Sequence, residues 1–342
     1  MGSCVGLEVS SYQVALHPHK EVTLNKGLGR LLDGERVLLT GGSGTLGRAL
    51  LLCARKGDWK AQFTVFARSE SRLARLKRAF PEVTCCIGDV RDFRSVQSAV
   101  AGHDTVIHMA AMKRIPECEQ QPEECIAVNI QGTANVLRAC ANASVEDCTI
   151  ISTDKACQAA TTYGASKLIT EGLMASYALT YRHVKYHGVR YGNVMASNGS
   201  VVQLWHEQAS QGHPLTITDP DMTRFWMSPF DAAHLVVYAR EFSSGVICVP
   251  RMSSLRMGDM ASMLYPDSPV QVVGVRSNEK KHEDLVHIGE PATPDRDHIL
   301  ICTNSQPRWK GGVQYSSENA PPVEMDELLR MVREAGEVDR CA

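Results

Sequence analysis

The sequence has no apolar run that approaches the ~20 residues needed to cross a bilayer, although 44% of its 342 residues are hydrophobic. Its N-terminus lacks the basic segment and long apolar stretch of an export signal, so we expect a cytoplasmic protein. Lys and Arg total 36 against 38 Asp and Glu, a net charge of −2, which leaves no basic field to collect nucleic-acid phosphates. We therefore expect a globular protein without a membrane or nucleic-acid partner.

The twelve cysteines show no C-x-x-C pair and no other metal-ligand spacing, so no metal site is predicted. In a reducing compartment they are expected to be free thiols. Cys53, Cys140, Cys248 and Cys302 lie inside apolar runs, where a thiol packs as a small hydrophobic group. Cys157 is the exception, because it follows Lys155 by two residues at the end of a predicted strand.

Strands and helices alternate through the first half of the chain. Apolar, β-branched runs predict strands at 36–40, 63–67, 83–87, 104–109, 148–152 and 185–190, and helical spacing predicts helices at 48–56, 71–79 and 93–101. This alternation predicts an α/β fold, a doubly wound parallel sheet with helices on both faces.

Three glycines, Gly41, Gly44 and Gly47, stand in G-x-x-G-x-x-G spacing between the first predicted strand and helix. In such a turn the first glycine permits the tight bend, the second lets backbone N–H groups approach a pyrophosphate, and the third allows close helix–sheet packing. Because the strand–turn–helix context is present, the pattern predicts a dinucleotide site.

The end of the second predicted strand indicates which dinucleotide is bound. An acidic side chain there would bind the ribose 2′-hydroxyl of NAD. The strand ends instead in Arg68 and Ser69, and a guanidinium with a hydroxyl suits a 2′-phosphate, so we expect NADP, with NAD as the alternative. After the third strand, Asp89 could reach the adenine amino group and Val90 could pack beside its ring.

Tyr163 and Lys167 lie four residues apart, which places them on one face of a helix. Upstream, Thr153 ends a predicted strand at the carboxyl edge of the sheet, where open α/β sheets bind ligands. A nearby ammonium and a positively charged nicotinamide are expected to lower the pKa of Tyr163, so that it can deprotonate a sugar hydroxyl. With the glycine loop, the pattern resembles an extended short-chain dehydrogenase/reductase whose triad is Thr153, Tyr163 and Lys167.

Asp154 and Lys155 directly follow the threonine of this triad. An acid and an amine beside a transient ketone can eliminate water, because one removes the proton next to the carbonyl and the other protonates the leaving hydroxyl. The alternative is a structural ion pair at the end of a strand.

Further strings narrow the resemblance to one family. They occur in order at His108–Pro116, Asn129–Gly132, Ser152–Ala156, Arg190–Val194, Met222–Trp226, Val249–Arg251, Val275–Lys280 and His282–Glu283. Together they resemble the soluble inverting UDP-N-acetylglucosamine 4,6-dehydratases of bacterial pseudaminic acid synthesis, over about residues 34–290.

This resemblance implies a lyase with UDP-N-acetylglucosamine as its substrate. Tyr163, supported by Lys167 and Thr153, would deprotonate the C4 hydroxyl while hydride passes from C4 to the nicotinamide. Lys155 would remove the C5 proton and Asp154 would protonate the departing C6 hydroxyl. Hydride would return to C6 and a proton would reach C5 on the inverting face, giving a 4-keto-6-deoxy sugar.

The resemblance also implies the residues that hold the ligands. Cofactor contacts are expected at Thr40, Gly41, Ser43, Gly44, Thr45, Leu46, Gly47, Arg68, Ser69, Asp89, Val90, Ala110, Ala111, Lys113, Asn129, Tyr163 and Lys167. Substrate contacts are expected at Lys113, Tyr191, Asn193, Val201, Thr216, Thr218, Met222, Arg224, Arg251, Arg256, Glu279 and Glu283. Among the latter, Asn193 and the arginines are candidates for the UDP diphosphate, and the two glutamates for uridine or ribose.

After about Val194 the alternation stops, and Pro, Gly, Ser and Asp become frequent. Helices are predicted at 229–240, 257–264 and 324–335, and a strand at 245–249. The chain is therefore divided into an N-terminal extension, 1–33, a Rossmann-like NAD(P)-binding domain, 34–194, and a smaller region, 195–342. This last region is mostly substrate-binding, is interleaved with the core and carries the C-terminal tail. Relatives form homo-oligomers, so a dimer or hexamer is expected.

Two related reactions stay open at this point. A UDP-N-acetylglucosamine 5,6-dehydratase of tunicamycin-type antibiotic synthesis starts with the same steps but returns hydride to C4, which leaves an exocyclic 5,6-alkene. A UDP-sugar 4-epimerase would need only the triad. The sequence departs from the dehydratase pattern at Ser277 and Asn278, which replace a Pro-Gly pair.

Overall fold

In a computed structural model, residues 28–303 and 312–341 of the chain are described. Of the predicted extension, residues 1–27 lie outside the described residues. The part that follows them forms a 3₁₀ helix, Leu28–Leu32, whose two terminal leucines are buried in the main core.

The bounds of the regular elements are as follows. The strands are β1 (Arg36–Thr40), β2 (Gln62–Ala67), β3 (Thr84–Ile87), β4 (Thr105–His108), β5 (Asp147–Thr153), β6 (Lys185–Tyr191), β7 (Asn193–Val194), β8 (Leu215–Ile217), β9 (Thr223–Met227), β10 (Val246–Pro250), β11 (Ser253–Arg256), β12 (Val270–Val272), β13 (Asp284–Val286), β14 (Ala292–Asp295), β15 (His298–Cys302) and β16 (Tyr315–Ser316). The α-helices are α1 (Thr45–Gly57), α2 (Glu70–Ala79), α3 (Phe93–Val100), α4 (Ile115–Gln120), α5 (Pro122–Cys125), α6 (Gly132–Ala141), α7 (Thr162–Thr180), α8 (Val201–Ser210), α9 (Pro229–Tyr238), α10 (Met257–Leu264) and α11 (Met325–Asp339).

The centre of the molecule is a nine-stranded sheet in the order β14-β15-β10-β6-β5-β4-β1-β2-β3. The strands from β3 to β10 run parallel, and β15 and β14 are added antiparallel at one edge. The chain order therefore reverses between β1 and β4, which is the place where open α/β sheets bind their ligands. The predicted doubly wound parallel sheet is confirmed.

Helices cover this sheet in two groups. α1, α9 and α11 pack together, and α3, α6 and α7 form a second packed set. The strands between them are apolar because both of their faces are covered. Val37, Leu38 and Leu39 of β1 are fully buried, and burial of such a side chain contributes about 1.5–3 kcal/mol.

The second half of the chain builds smaller sheets beside the large one. β11, β9 and β7 form one of them, and the pairs β12–β8 and β13–β16 form two more. A second apolar cluster lies here, centred on Trp205, Trp226 and Met260, and α11 packs against it. Because β10, β14 and β15 return to the large sheet, the chain passes between the two regions more than once. The division at residues 34 and 194 stays a prediction.

Most predicted elements occur within a few residues of their expected bounds. α1 begins at Thr45 rather than Arg48, because the last part of the glycine loop already has helical backbone. α11 continues to Asp339, beyond the expected end at 335. Most of the short strands that follow β6 had no predicted counterpart, since three-residue strands carry little periodicity. Within the described ranges, no helix is long and apolar enough to span a membrane.

Candidate active site

The glycine loop lies between β1 and α1, at the point where the strand order reverses. Gly41 has φ +70°, and a Cβ there would stand 2.7 Å from the backbone of Ala110. At Gly47 a Cβ would stand 2.1 Å from the carbonyl oxygen of Gly42. At Gly44 it would meet only the Gly41 carbonyl oxygen, at 3.3 Å. Gly41 and Gly47 are therefore required by the fold. The missing side chain at Gly44 instead leaves open space above the loop.

The N-terminus of α1 has no side-chain cap, so its first N–H groups stay available to an anion. Thr45 lies at this terminus, and its hydroxyl accepts a hydrogen bond from the Asn198 backbone N–H at 3.3 Å. The loop that follows β7 therefore reaches over the glycine loop. Ser43 and Leu46 belong to the same turn. This loop and helix end fit the pyrophosphate of a dinucleotide.

A charged cluster lies at the ends of β2 and β3. The half-exposed Arg68 guanidinium is 3.5 Å from Glu124 and 3.9 Å from Asp89. Asp89 is also bound by the Arg91 guanidinium at 2.6 Å. Ser69 caps α2 by accepting a hydrogen bond from a backbone N–H at 3.3 Å. Arg68 and Ser69 thus lie side by side as predicted, but acidic groups already face the arginine.

Buried polar side chains form the floor between β1 and β4. Thr40 Oγ1 is 2.7 Å from Nδ1 of His108, whose Nε2 is 3.0 Å from Thr133 Oγ1. Burial lowers the pKa of His108 to about 3, so this histidine is neutral. Thr40 also accepts a hydrogen bond from the Ala110 N–H at 3.4 Å, and Ala111 continues the same loop. Val90 is buried near Gly132 at the start of α6.

Asn129 connects these buried polar side chains to α7, the helix that carries Tyr163. It lies in a π-helical turn, Ile126–Gln131, a feature that is frequent at functional sites. Its side chain accepts a hydrogen bond from the Met112 N–H at 2.7 Å and donates one to Ser166 Oγ at 2.9 Å. Ser166 in turn donates to the carbonyl oxygen of Tyr163 at 2.7 Å. Asn129 therefore positions the backbone that carries the candidate tyrosine.

The predicted triad comes together where α7 passes the end of β5. Lys167 is buried and donates to the Ile151 carbonyl oxygen at 2.8 Å, and burial lowers its pKa to about 8. Burial raises the pKa of the Tyr163 hydroxyl, and the adjoining Thr153 hydroxyl lowers it in part. Tyr191 and Asp154 add to the upward shift of the Tyr163 pKa that burial causes. The expected lowering, which also involves the charge of a bound nicotinamide, stays a prediction.

Asp154 and Lys155 form an ion pair beside this triad. The Lys155 amine lies 2.9 and 3.0 Å from the two carboxylate oxygens of Asp154 and donates to Asn193 Oδ1 at 3.0 Å. Asp154 is fully buried and also accepts a hydrogen bond from Thr153 Oγ1 at 2.8 Å. An acid and an amine thus lie in hydrogen-bond contact at the carboxyl end of β5, where proton transfer to and from a ligand is chemically feasible.

Glu283 lies beside this pair. Its carboxylate is 3.9 Å from the Lys155 amine and 3.7 Å from Lys280. Only 5% of Glu283 is exposed, and its Oε2 has no hydrogen-bond partner. Burial raises the pKa of this carboxyl group. The resemblance placed Glu283 among the substrate contacts, but it did not indicate that Lys280 and Glu283 approach Lys155, because these residues are far apart along the chain.

A second buried network of charged side chains reaches Ser152, the neighbour of Thr153. Arg190, 1% exposed, binds Glu171 at 2.5 and 2.9 Å and Glu290 at 2.8 and 2.9 Å. Ser152, the residue before Thr153, donates to Glu171 Oε1 at 2.5 Å. Arg190 occurs in a string that carried the resemblance, but sequence alone assigned it no partner.

The expected diphosphate arginines lie in different environments. Arg224 is buried, and its guanidinium donates to the carbonyl oxygens of Lys280 and Lys281 at 2.9 and 3.0 Å. Arg251 donates to a backbone carbonyl oxygen at 3.3 Å. Arg256 is about half exposed and pairs with Asp221. Arg224 therefore holds the segment that carries Glu283.

The remaining candidate substrate residues are distributed over the smaller sheets. Glu279 approaches Thr218 Oγ1 and the Arg224 guanidinium, each within 3.4 to 3.5 Å. Thr216 binds the side chain of Gln208. Tyr191 ends β6, Val201 begins α8 and Met222 is buried in the second apolar cluster.

Lys113 follows β4 on the same side of the sheet. Although part of its side chain is exposed, desolvation of its amine and the nearby Arg48 cation lower its pKa to about 8.

Cys157 is 2% exposed, and burial raises its pKa to about 12, so it is not a reactive thiol. Among the described residues, no cluster of His, Cys, Asp or Glu could hold a metal ion.

This arrangement can be compared with known proteins. A family model described as "Polysaccharide biosynthesis protein" matches residues 37–303. The inverting UDP-N-acetylglucosamine 4,6-dehydratase of Campylobacter jejuni is 35% identical over 316 residues, which cover 85% of this chain and 95% of that protein. This chain belongs to the polysaccharide biosynthesis protein family.

Other members and structures give the range of the family and its fold. A protein of Rickettsia massiliae named UDP-glucose 4-epimerase is 38% identical over 283 residues, or 78% of this chain and 82% of that protein. The crystal structure of Pen from Bacillus thuringiensis superposes with a TM-score of 0.82 at 29% identity, covering 90% of this chain and 98% of that one. The dTDP-glucose 4,6-dehydratase DesIV of Streptomyces venezuelae, solved with NAD, shares the fold with a TM-score of 0.67 at 21% identity, covering 88% and 97% of the two chains.

Proposed function

We propose that this chain is an inverting UDP-N-acetylglucosamine 4,6-dehydratase. The observation that carries this proposal is the ion pair of Asp154 and Lys155 at the end of β5, next to Thr153. Oxidation at C4 alone needs a tyrosine base, whereas loss of water across C5 and C6 also needs a base for carbon and an acid for the leaving hydroxyl. The name of the Campylobacter relative agrees with this assignment.

The contacts of the side chains support the following roles. Tyr163, in its deprotonated form, takes the proton of the C4 hydroxyl; it adjoins Thr153, which donates a hydrogen bond to Asp154. The dinucleotide, when bound, supplies the hydride acceptor for C4 and the hydride donor for C6. Lys155 removes the C5 proton and Asp154 protonates the C6 hydroxyl, which leaves as water. Because the two groups are 2.9 Å apart, transfer of one proton from Lys155 to Asp154 prepares the base and the acid together.

We propose NADP as the dinucleotide, with its pyrophosphate on the glycine loop and its 2′-phosphate beside Arg68 and Ser69. Gly44 adds no side chain above the turn, and α1 offers uncapped N–H groups. Arg72 and Arg75 of α2 add positive charge near Arg48 in the same region. The test is to denature the purified protein and identify the released nucleotide, and release of NAD would contradict the choice.

The remaining candidate contacts are proposed for the two ligands as a set. For the dinucleotide they are Thr40, Ser43, Thr45, Leu46, Asp89, Val90, Ala110, Ala111, Asn129 and Lys113. For the UDP-sugar they are Lys113, Tyr191, Asn193, Val201, Thr216, Thr218, Met222, Arg251, Arg256 and Glu279. Arg224 is proposed to act on the substrate side through the 280–281 segment that it holds.

One incubation tests the reaction. UDP-N-acetylglucosamine is mixed with the enzyme in D₂O, and the product is examined by NMR. A C6 methyl group, deuterium at C5 and inverted C5 configuration are expected. A vinylic C6 signal would instead identify a 5,6-dehydratase and contradict the proposal.

A 4-epimerase is the second candidate, because the Rickettsia relative at 38% identity carries that name. In that case Asp154 and Lys155 would be structural. UDP-N-acetylgalactosamine as the sole product of the same incubation would establish the epimerase and exclude the lyase.

We also propose that the protein forms homo-oligomers through α7. Leu168, Ile169 and Leu179 are 48%, 47% and 55% exposed, and helical spacing places them on one face with Gly172. A second copy of the same helix would cover this uncharged stripe. Light scattering of Leu168→Glu should show a smaller species than the parent protein, and an unchanged mass would exclude this face.

A cytoplasmic location and the division into an NAD(P)-binding domain and a substrate-binding region stay part of the proposal. The described cysteines are all free thiols, which suits a reducing compartment. Mass spectrometry of protein alkylated during cell lysis should find these cysteines alkylated, which shows that they were reduced.

A further inference from the structure

The proposed reaction, on which this inference rests, leaves one proton to be delivered to C5 at the end. The C4 hydroxyl proton enters on Tyr163 and the product is a ketone, so a proton must leave the tyrosine. Elimination returns Lys155 and Asp154 to the ion pair seen in the structure. Inversion requires a donor other than the base that removed the C5 proton, since the same base acting from the same side would restore the configuration.

A chain of contacts connects Tyr163 to a buried carboxyl group. The tyrosine hydroxyl adjoins the hydroxyl of Thr153, which lowers its pKa, and Thr153 donates to Asp154 at 2.8 Å. Asp154 lies 2.9 Å from the Lys155 amine, which is 3.9 Å from Glu283 Oε1. The flexible lysine is the link that has to move to complete the chain. At the end of this chain of contacts, Glu283 Oε2 is buried and has no hydrogen-bond partner.

We propose that Glu283 is the acid that protonates C5, and that Tyr163, Thr153, Asp154 and Lys155 return a proton to it. In the final step the Glu283 O–H bond breaks and the C5–H bond forms. One proton then moves along the chain, so that the Tyr163 O–H bond breaks and the Glu283 O–H bond forms again. No electrons are exchanged in this relay and the net charge of the centre is unchanged.

The surroundings of Glu283 suit this role. Its backbone is held by Ser317, whose hydroxyl accepts the Glu283 N–H at 2.9 Å and whose own N–H donates back at 2.8 Å. Burial and the Asp154 charge raise the pKa of Glu283, while the Lys155, Arg224 and Lys280 cations lower it. The net shift is upward, which favours the neutral acid that can give up a proton.

The substitution that tests this role is Glu283→Gln, which keeps the shape but carries no transferable acid proton. We expect a fall in kcat of about 10²–10⁴-fold, as for loss of a general acid. Any product formed should contain sugar with retained C5 configuration, because Lys155 then returns its own proton. The rate of the parent enzyme should fall as the pH rises through the Glu283 pKa, and this limb should be absent in the variant.

Two controls separate this role from others. Glu283→Asp should restore part of the rate and the inversion, and Glu318→Gln should behave like the parent enzyme, because Glu318 is mostly exposed and pairs with His282. Calorimetry with UDP should give the same affinity for Glu283→Gln and the parent protein. Weaker UDP binding with unchanged kcat and full inversion would show that Glu283 is a uridine contact and overturn the proposal.

The parent enzyme also serves as a control. If it inverts C5 and Glu283→Gln does so at a similar rate, the role of Glu283 is wrong and the dehydratase assignment stands. If the parent enzyme releases no dehydrated sugar, the proposed function is wrong, and so is the proposed role of Glu283.

Discussion

At the scale of single residues, the centre depends on an amine held between carboxyl groups. Lys155 touches Asp154 and Asn193 directly and lies near Glu283. From the sequence, only the adjacent pair was assigned to proton transfer, whereas Asn193 and Glu283 were expected as substrate contacts.

Replacement of Lys155 by alanine should abolish the elimination and spare the binding sites. Product formation is expected to fall about 10²–10⁴-fold, because the base for C5 is lost. NMR of the product measures the rate, and the nucleotide released on denaturation measures cofactor binding. Lys281→Ala, at an exposed lysine of the neighbouring segment, is the matched control. Unchanged turnover in Lys155→Ala would remove this residue from the mechanism.

At the scale of elements, the turn between β1 and α1 separates a structural glycine from a ligand-facing one. Gly41 needs its positive φ and its close contact with the Ala110 backbone. A Cβ on Gly44 would meet only a carbonyl oxygen at 3.3 Å, so the fold tolerates it better than a bound pyrophosphate would.

Alanine should therefore mainly lower stability at Gly41 and mainly weaken dinucleotide binding at Gly44. Gly41→Ala is expected to lower the free energy of unfolding by about 1–3 kcal/mol, from left-handed backbone strain alone. Gly44→Ala should keep a near-normal melting temperature and weaken dinucleotide binding at least several-fold. Thermal melts and nucleotide titrations measure the two effects. Equal loss of stability in both variants would contradict this division.

At the scale of the whole molecule, Arg190 joins parts of the chain that are distant in sequence. Through Glu171, Glu290 and the Leu285 carbonyl oxygen it connects β6 with α7 and with the segment around β13. Glu171 also reaches Ser152 on β5. The parallel sheet and the region that carries Glu283 are held in register by this buried network.

Arg190→Met should destabilise the protein as a whole. It leaves Glu171 buried without a counter-charge, and breaking such a pair costs about 3–5 kcal/mol. Because the carboxyl group would then bind a proton more readily, the loss should be larger at pH 8 than at pH 5. Urea unfolding at pH 5 and pH 8 measures this loss in the free energy of unfolding. Arg256→Met, at an exposed arginine, should change the free energy of unfolding by no more than about 0.5 kcal/mol.

The sequence by itself determined the alternating core, the glycine loop and the adjacent string Thr153, Asp154 and Lys155, because these depend on local periodicity and on neighbours along one strand or helix. It also indicated the family, which the comparisons confirm. Only the tertiary structure showed that Glu283 and Lys280 stand beside Lys155, that Arg224 is occupied by backbone carbonyl groups, and that burial raises the pKa of Tyr163. These depend on long-range packing, which decides what surrounds a charged group and how far it is removed from water.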